Sequence, residues 1–110
     1  MSGEASGGVV EGRARVLSPA GRDSARLAPG EVLIARTTDV GLSPLFLVAA
    51  AVVTELGGPL SHAALVAREY GVPAVVNVPS VTTAIKTGDL VRVDGDRGVV
   101  ERLLPSTAAP

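Results

Sequence analysis

Three short apolar runs constrain this chain most: "EVLIAR" at Glu31–Arg36, "AVVT" at Ala51–Thr54 and "AVVN" at Ala74–Asn77. An apolar run without polar alternation has no face to give to water, so each belongs in the middle of a sheet. Two other stretches read differently. "VVEGRARVL" alternates, with Val10, Gly12, Ala14 and Val16 on one face and Glu11, Arg13 and Arg15 on the other, the pattern of a half-buried strand. "DLVRVDGDRGVVERL" splits at a turn over Gly95–Gly98 into a closing hairpin.

Helix signals fall between these strands. Ser43-Pro44 offers an N-cap and a first-turn proline ahead of "LFLVAAA". Ser61 is placed to cap "HAALVAREY", which Gly71 ends and Pro73 prevents from resuming. Ser80 is placed to cap a short helix "VTTAIKT" before Gly88. The expected order is strand, strand, helix, strand, helix, strand, short helix, hairpin, which is an α/β domain. At 110 residues the chain is one domain, with a body over 9–103 and loose tails at 1–8 and 104–110.

Composition removes several classes of function. One Phe, one Tyr and no Trp leave little with which to stack bases, and a net charge of −1 gives no pull towards nucleic acid or anionic lipid. Without cysteine there are no disulfides and no thiolate metal sites. The longest apolar run, Leu45–Val53, is far short of the roughly 20 residues of a membrane span. No secretory signal opens the chain, and a cytoplasmic location is expected.

The only histidine, His62, stands at the head of the second helix, after Gly57 and Gly58. The orphan N–H groups of a helix start and the positive end of its dipole suit an anion there. Glycines let the backbone turn and approach a ligand closely. An imidazole with a pKa of about 6.5 is largely neutral at pH 7 and offers a nitrogen lone pair. It can serve as nucleophile, general base or metal ligand. Asp89, Asp94 and Asp96 are the only acidic cluster available to a metal, and "DGDRG" reads better as a hairpin turn than as a calcium loop. A Ser–His hydrolase would need a nucleophile and an acidic orienter elsewhere. A covalent phosphohistidine fits better, because phosphoryl transfer needs positioning more than extra catalytic side chains. The alternatives are a polar cap without chemistry, and non-covalent anion binding.

"GGPLSHAALVAREYGVPAVV", flanked in order by "GRARVL", "LAPGEVLIARTTDVGLSPLF", "AAAVVTELGG" and "GDLVRVDGDRGVVERL", resembles the mobile phosphohistidine domain of the phosphoenolpyruvate (PEP)-utilising enzymes. That family includes PEP synthase, pyruvate phosphate dikinase, rifampicin phosphotransferase and Enzyme I of the sugar phosphotransferase system. The resemblance covers roughly Val9 to Leu103. It implies a three-layer β/β/α swivelling domain with His62 as phosphocarrier. It also implies that Thr54, Gly57, Gly58 and Ser61 shape the loop and helix start, and that Ser43 lies within hydrogen-bonding reach of the ring. Arg68 and Glu69 match the family's "ARE", but a solvated or salt-bridged helix face is the preferred account of them. Leu60 stands where some dikinases carry a regulatory threonine, so control by that route is not expected.

No cofactor is expected on this domain. ATP or PEP, with Mg2+, belongs on an ATP-grasp or PEP-binding partner, either in trans or as the rest of a longer chain. The expected activity is that of a phosphotransferase component that is incomplete alone. The alternative from a different class is a non-catalytic regulatory or anion-binding module that keeps the swivelling fold.

Overall fold

The computed structural model describes residues 4–6, 8–17, 27–36, 47–57 and 62–105. The elements are β1 (Glu4–Ser6), β2 (Val9–Val16), β3 (Val32–Ala35), β4 (Ala51–Thr54), α1 (His62–Tyr70), β5 (Ala74–Val76), α2 (Val81–Ala84), β6 (Leu90–Asp94) and β7 (Val99–Leu104). The strands form one sheet in the order β1-β5-β4-β3-β2-β6-β7. The three apolar runs are its parallel centre: β3 pairs with β4, and β4 with β5. The connection from β4 through α1 to β5 is a crossover unit, the economical way to join parallel neighbours.

β2 connects the two halves. Its first five residues, Val9–Arg13, run antiparallel to β6, and Ala14–Val16 run parallel to β3. One strand thus serves neighbours on opposite sides at different points along its length, and the sheet shears and curls. The curl makes layers. Val32, Ile34, Val53 and Val75 face a core shared with Val91, Val93 and Val100 of the β6–β7 hairpin and with Val81 and Ile85. The alternate residues, Leu33, Ala35, Val52, Ala74 and Val76, face a second core that includes Ala64 and Ala67 of α1. Continuous apolar sequence is therefore explained by cover on both faces, hairpin on one side and helix on the other, which is the β/β/α arrangement. Each fully buried Val, Leu or Ile stabilises by about 1.5–3 kcal/mol relative to exposure. Among the α1 residues whose burial is described, the buried ones are small, Ala64 and Ala67, so the helix can lie close to the sheet.

α1 ends as its glycine requires. Gly71 sits at φ 69°, its N–H donates to the Arg68 carbonyl (3.2 Å), and the Val72 N–H donates to the Ala67 carbonyl (2.8 Å). This is a Schellman stop. The hairpin turn also forms where expected: Asp94 Oδ1 accepts from the N–H groups of Asp96 and Arg97, both at 3.0 Å. On the exposed face of β2, Glu11 stands opposite Arg92 and pairs with it at 2.7 Å.

Three expectations need correction. The amino-terminal stretch read as a loose tail contains β1, which pairs antiparallel with β5 (Glu4 opposite Val76, Ser6 opposite Ala74). A three-residue edge strand needs only backbone pairing, which leaves no pattern in side chains, and it covers an otherwise open edge. The helix expected to run through "LFLVAAA" does not reach its end. Ser43 and Pro44 lie outside the described residues, Leu47 and Val48 are in a tight turn, and Ala51 already belongs to β4. The Gly30 N–H donates to the Val48 carbonyl and the Ala50 N–H to the Glu31 carbonyl, so sheet pairing takes these residues. Finally, Ser80 flanks α2 but sits at φ 62° and makes no side-chain cap, and the helix stops at Ala84 because Ile85 is extended.

Candidate functional site

The carboxyl ends of β3, β4 and β5 and the start of α1 lie at one end of the molecule, the end where open parallel sheets place their ligands. His62 is the first residue of α1. The first turn of α1 holds no acidic residue, so nothing there offsets the positive end of the helix dipole, while Arg68 in the last turn complements the negative end. Arg68 and Glu69 are exposed on α1. The His62 side chain, Gly58, Leu60, Ser61 and Ser43 lie outside what the structure describes.

The base of the loop leading to His62 is described in full. Thr54, the last residue of β4, is completely buried; its Oγ1 donates to the Leu56 carbonyl (2.7 Å), and its carbonyl accepts from the Val78 N–H (3.0 Å). The two next residues continue the pairing with the exit of β3: the Glu55 N–H donates to the Ala35 carbonyl (3.1 Å) and the Leu56 N–H to the Arg36 carbonyl (2.9 Å). Gly57 then turns at φ 122°, a conformation that a side chain would strain. Thr54 and Gly57 thus stand three residues apart where the chain leaves β4.

Thr54→Val keeps the shape of this residue and removes the donor to Leu56. It is expected to cost about 1 kcal/mol, the net worth of one hydrogen bond, read as a lower urea midpoint with an unchanged slope.

Sequence reasoning missed Glu55. Its Oε1 accepts from the Thr82 N–H (2.9 Å) and from Thr82 Oγ1. No local pattern announces this contact, because the partner is 27 residues away. The hydrogen bond from the Thr82 hydroxyl, then the one from its N–H, hold the Glu55 carboxyl below the usual glutamate range, with a smaller contribution from the Arg36 charge. A carboxyl with a lowered folded-state pKa contributes stability that is fully present above its unfolded pKa and lost as pH falls through the folded one. The Thr82 amide resonance is therefore expected to titrate with a midpoint below the ordinary glutamate range. A midpoint within that range would show the contact absent in solution.

Also missed were Asn77 (φ 60°) and Ser80 (φ 62°), two non-glycine residues in left-handed conformation where β5 leads into α2. Asn tolerates that region better than most residues, which was the available signal.

Among the described residues, no three His, Cys, Asp or Glu side chains come together to hold a metal ion. Asp94 and Asp96 are engaged at the hairpin turn, Asp96 Oδ1 accepting from the Gly8 N–H, and Asp89 is buried beside Arg102 (3.8 Å). Among the described residues, no helix is long and apolar enough to cross a membrane.

Comparison with known proteins bears on this geometry. The family described as "PEP-utilising enzyme, mobile domain" matches residues 27–98. An uncharacterised protein of Mycobacterium tuberculosis is 53% identical over 94 residues, covering 86% of this chain and 11% of that protein. Rifampicin phosphotransferase of Bacillus cereus is 48% identical over 98 residues, covering 89% of this chain and again 11% of the relative. The chain thus spans about a ninth of the length of these relatives. The solution structure of Enzyme I (nEIt) superposes with a TM-score of 0.64 at 35% identity, over 74% of this chain and 34% of that one.

Proposed function

The chain belongs to the PEP-utilising enzyme mobile-domain family, and on that footing we propose that it carries a phosphoryl group on His62 between two partner sites. One observation supports this above the rest: the family match runs through the chain's single histidine, and that residue opens α1 at the carboxyl end of the parallel strands. In the step, a lone pair of the neutral imidazole forms an N–P bond as the bridging P–O bond of the donor breaks. The leaving oxygen keeps its electron pair. The ring's N–H proton is then shed to solvent or a partner base, and the helix start faces the phosphoryl charge.

The donor in this reading is ATP on an ATP-grasp partner or PEP on a PEP-binding partner, with Mg2+ held there. Partner domains elsewhere in a longer chain or separate proteins would both serve. Thr54 and Gly57 set the root of the loop, and Gly58, Ser61 and Ser43 are assigned to the surroundings of the ring by their match to the family motif. The acceptor is chosen by the partner site.

Labelling tests the reading. In extract of the source cells, the chain is offered ATP labelled in its β and γ phosphates, or labelled PEP. Acid-labile, alkali-stable label on wild type, absent from His62→Ala, is the expected result, and the effective donor identifies the partner class. Label of equal amount on His62→Ala would overturn the assignment.

A further inference from the structure

Glu55 occupies a position that the phosphocarrier reading leaves without a role. It lies seven residues before His62, at a point where the root of the histidine loop is hydrogen-bonded to α2. α2 needs such a contact: Ser80 gives it no side-chain cap, and the Thr82 N–H of its first turn is satisfied instead by the Glu55 carboxylate. α2 is itself fixed, since Val81 and Ile85 are buried in the core between hairpin and sheet. Thr54–Leu56 is therefore held on both sides. Backbone bonds tie it to the exit of β3, the Val78 N–H ties it to the exit of β5, and the Glu55–Thr82 pair ties it to α2.

Immediately beyond this clamp the chain passes through Gly57 and Gly58, the residues with the greatest backbone freedom. A loop that begins with two glycines can aim its histidine only as well as its two ends are fixed. One end is α1, seated by Ala64 and Ala67; the other is the clamp at Leu56. We propose that Glu55 is a positioning residue for phosphoryl transfer, fixing the root of the His62 loop against α2. This rests on the carrier reading, and it adds a residue that touches neither donor nor acceptor.

The test compares wild type, Glu55→Ala, Glu55→Gln and His62→Ala in the labelling assay, with thermal midpoints and the amide resonances of Leu56, Gly57 and His62 recorded for each. Glu55→Ala is expected to slow phosphorylation by about 10- to 100-fold, the usual cost of displacing a reacting group by about 1 Å. The loss should fall on the turnover rate rather than on the apparent KM for the partner, and the three amides should shift or broaden. Glu55→Gln keeps an acceptor for Thr82 and should recover most of the rate.

Wild type that labels on His62, beside Glu55→Ala that labels equally fast, would overturn the positioning role while leaving the carrier reading intact. So would a rate loss that disappears on cooling well below the Glu55→Ala midpoint, which would mark a purely structural effect. Wild type that fails to label would remove the carrier reading itself. In that case unchanged Leu56, Gly57 and His62 amides in Glu55→Ala would overturn the positional link, and displaced ones would sustain it.

Discussion

Replacing His62 with alanine is expected to reduce phosphoryl incorporation to background and to leave the fold in place. Both halves of that expectation have physical grounds. Deleting the nucleophile of a covalent mechanism costs on the order of 10⁶-fold in turnover, because the remaining groups can still bind but have no atom to receive the transferred group. This chain has no second histidine and no cysteine to substitute.

The fold should persist because α1 is seated by residues further along: Ala64 and Ala67 are buried, and Val66 and Val72 pack against the same core. Alanine is also the best helix former, so the start of α1 loses no propensity. The thermal midpoint should stay within about 4 °C of wild type, the equivalent of less than about 1 kcal/mol in a domain of this size. A variant that loses label and also melts much earlier would leave the loss attributable to unfolding; loss of label with an unchanged midpoint isolates the imidazole.

The sequence made some parts of this molecule plain and hid others, and range of interaction separates the two. Val32–Ala35, Ala51–Thr54 and Ala74–Val76 were legible as central strands because burial on both faces forces every residue to be apolar. The stop of α1 was legible because Gly71 and Pro73 act within one turn. His62 stood out through its motif and its place at the helix start. β1 was invisible, since pairing through the backbone alone leaves no mark on side chains. Glu55 was invisible for a different reason: its role is defined by Thr82, brought near only when β5 and α2 fold beside the exit of β4. The Ser80 cap failed because a serine before a short helix has the right composition, but here the backbone at φ 62° turns it out of capping geometry. Ser43, Gly58 and Ser61 rest on the family motif alone.

Gly12→Ala should be the most damaging single-methyl change in the described sheet. An ideal Cβ at Gly12 would stand 2.6 Å from the Gly30 carbonyl oxygen and 3.5 Å from Val32 Cγ2. The nearer contact is with backbone, so no rotamer change relieves it. Retreat is blocked on each side. Gly12 is in register with Val91 of β6, and two residues on Ala14 pairs with Val32 of β3, which in turn pairs with Ala51 of β4. This is the point where β2 passes from one neighbour to the other, and the curl that separates the two cores depends on the close approach.

Overpacking of this kind costs typically about 1–3 kcal/mol. At about 4–8 °C per kcal/mol for a small domain, the thermal midpoint should fall by roughly 5–20 °C. Gly30→Ala is the matched comparison, because its Cβ would meet nothing within 4 Å and its cost comes from φ 87° alone, about 1–2 kcal/mol. If Gly12→Ala melts with wild type, the strands can separate at the crossover and the curl of the sheet is not held there. If it melts early while still accepting label on His62 below its midpoint, the crossover holds the fold, and the carrier site at the other end of the parallel strands works independently of it.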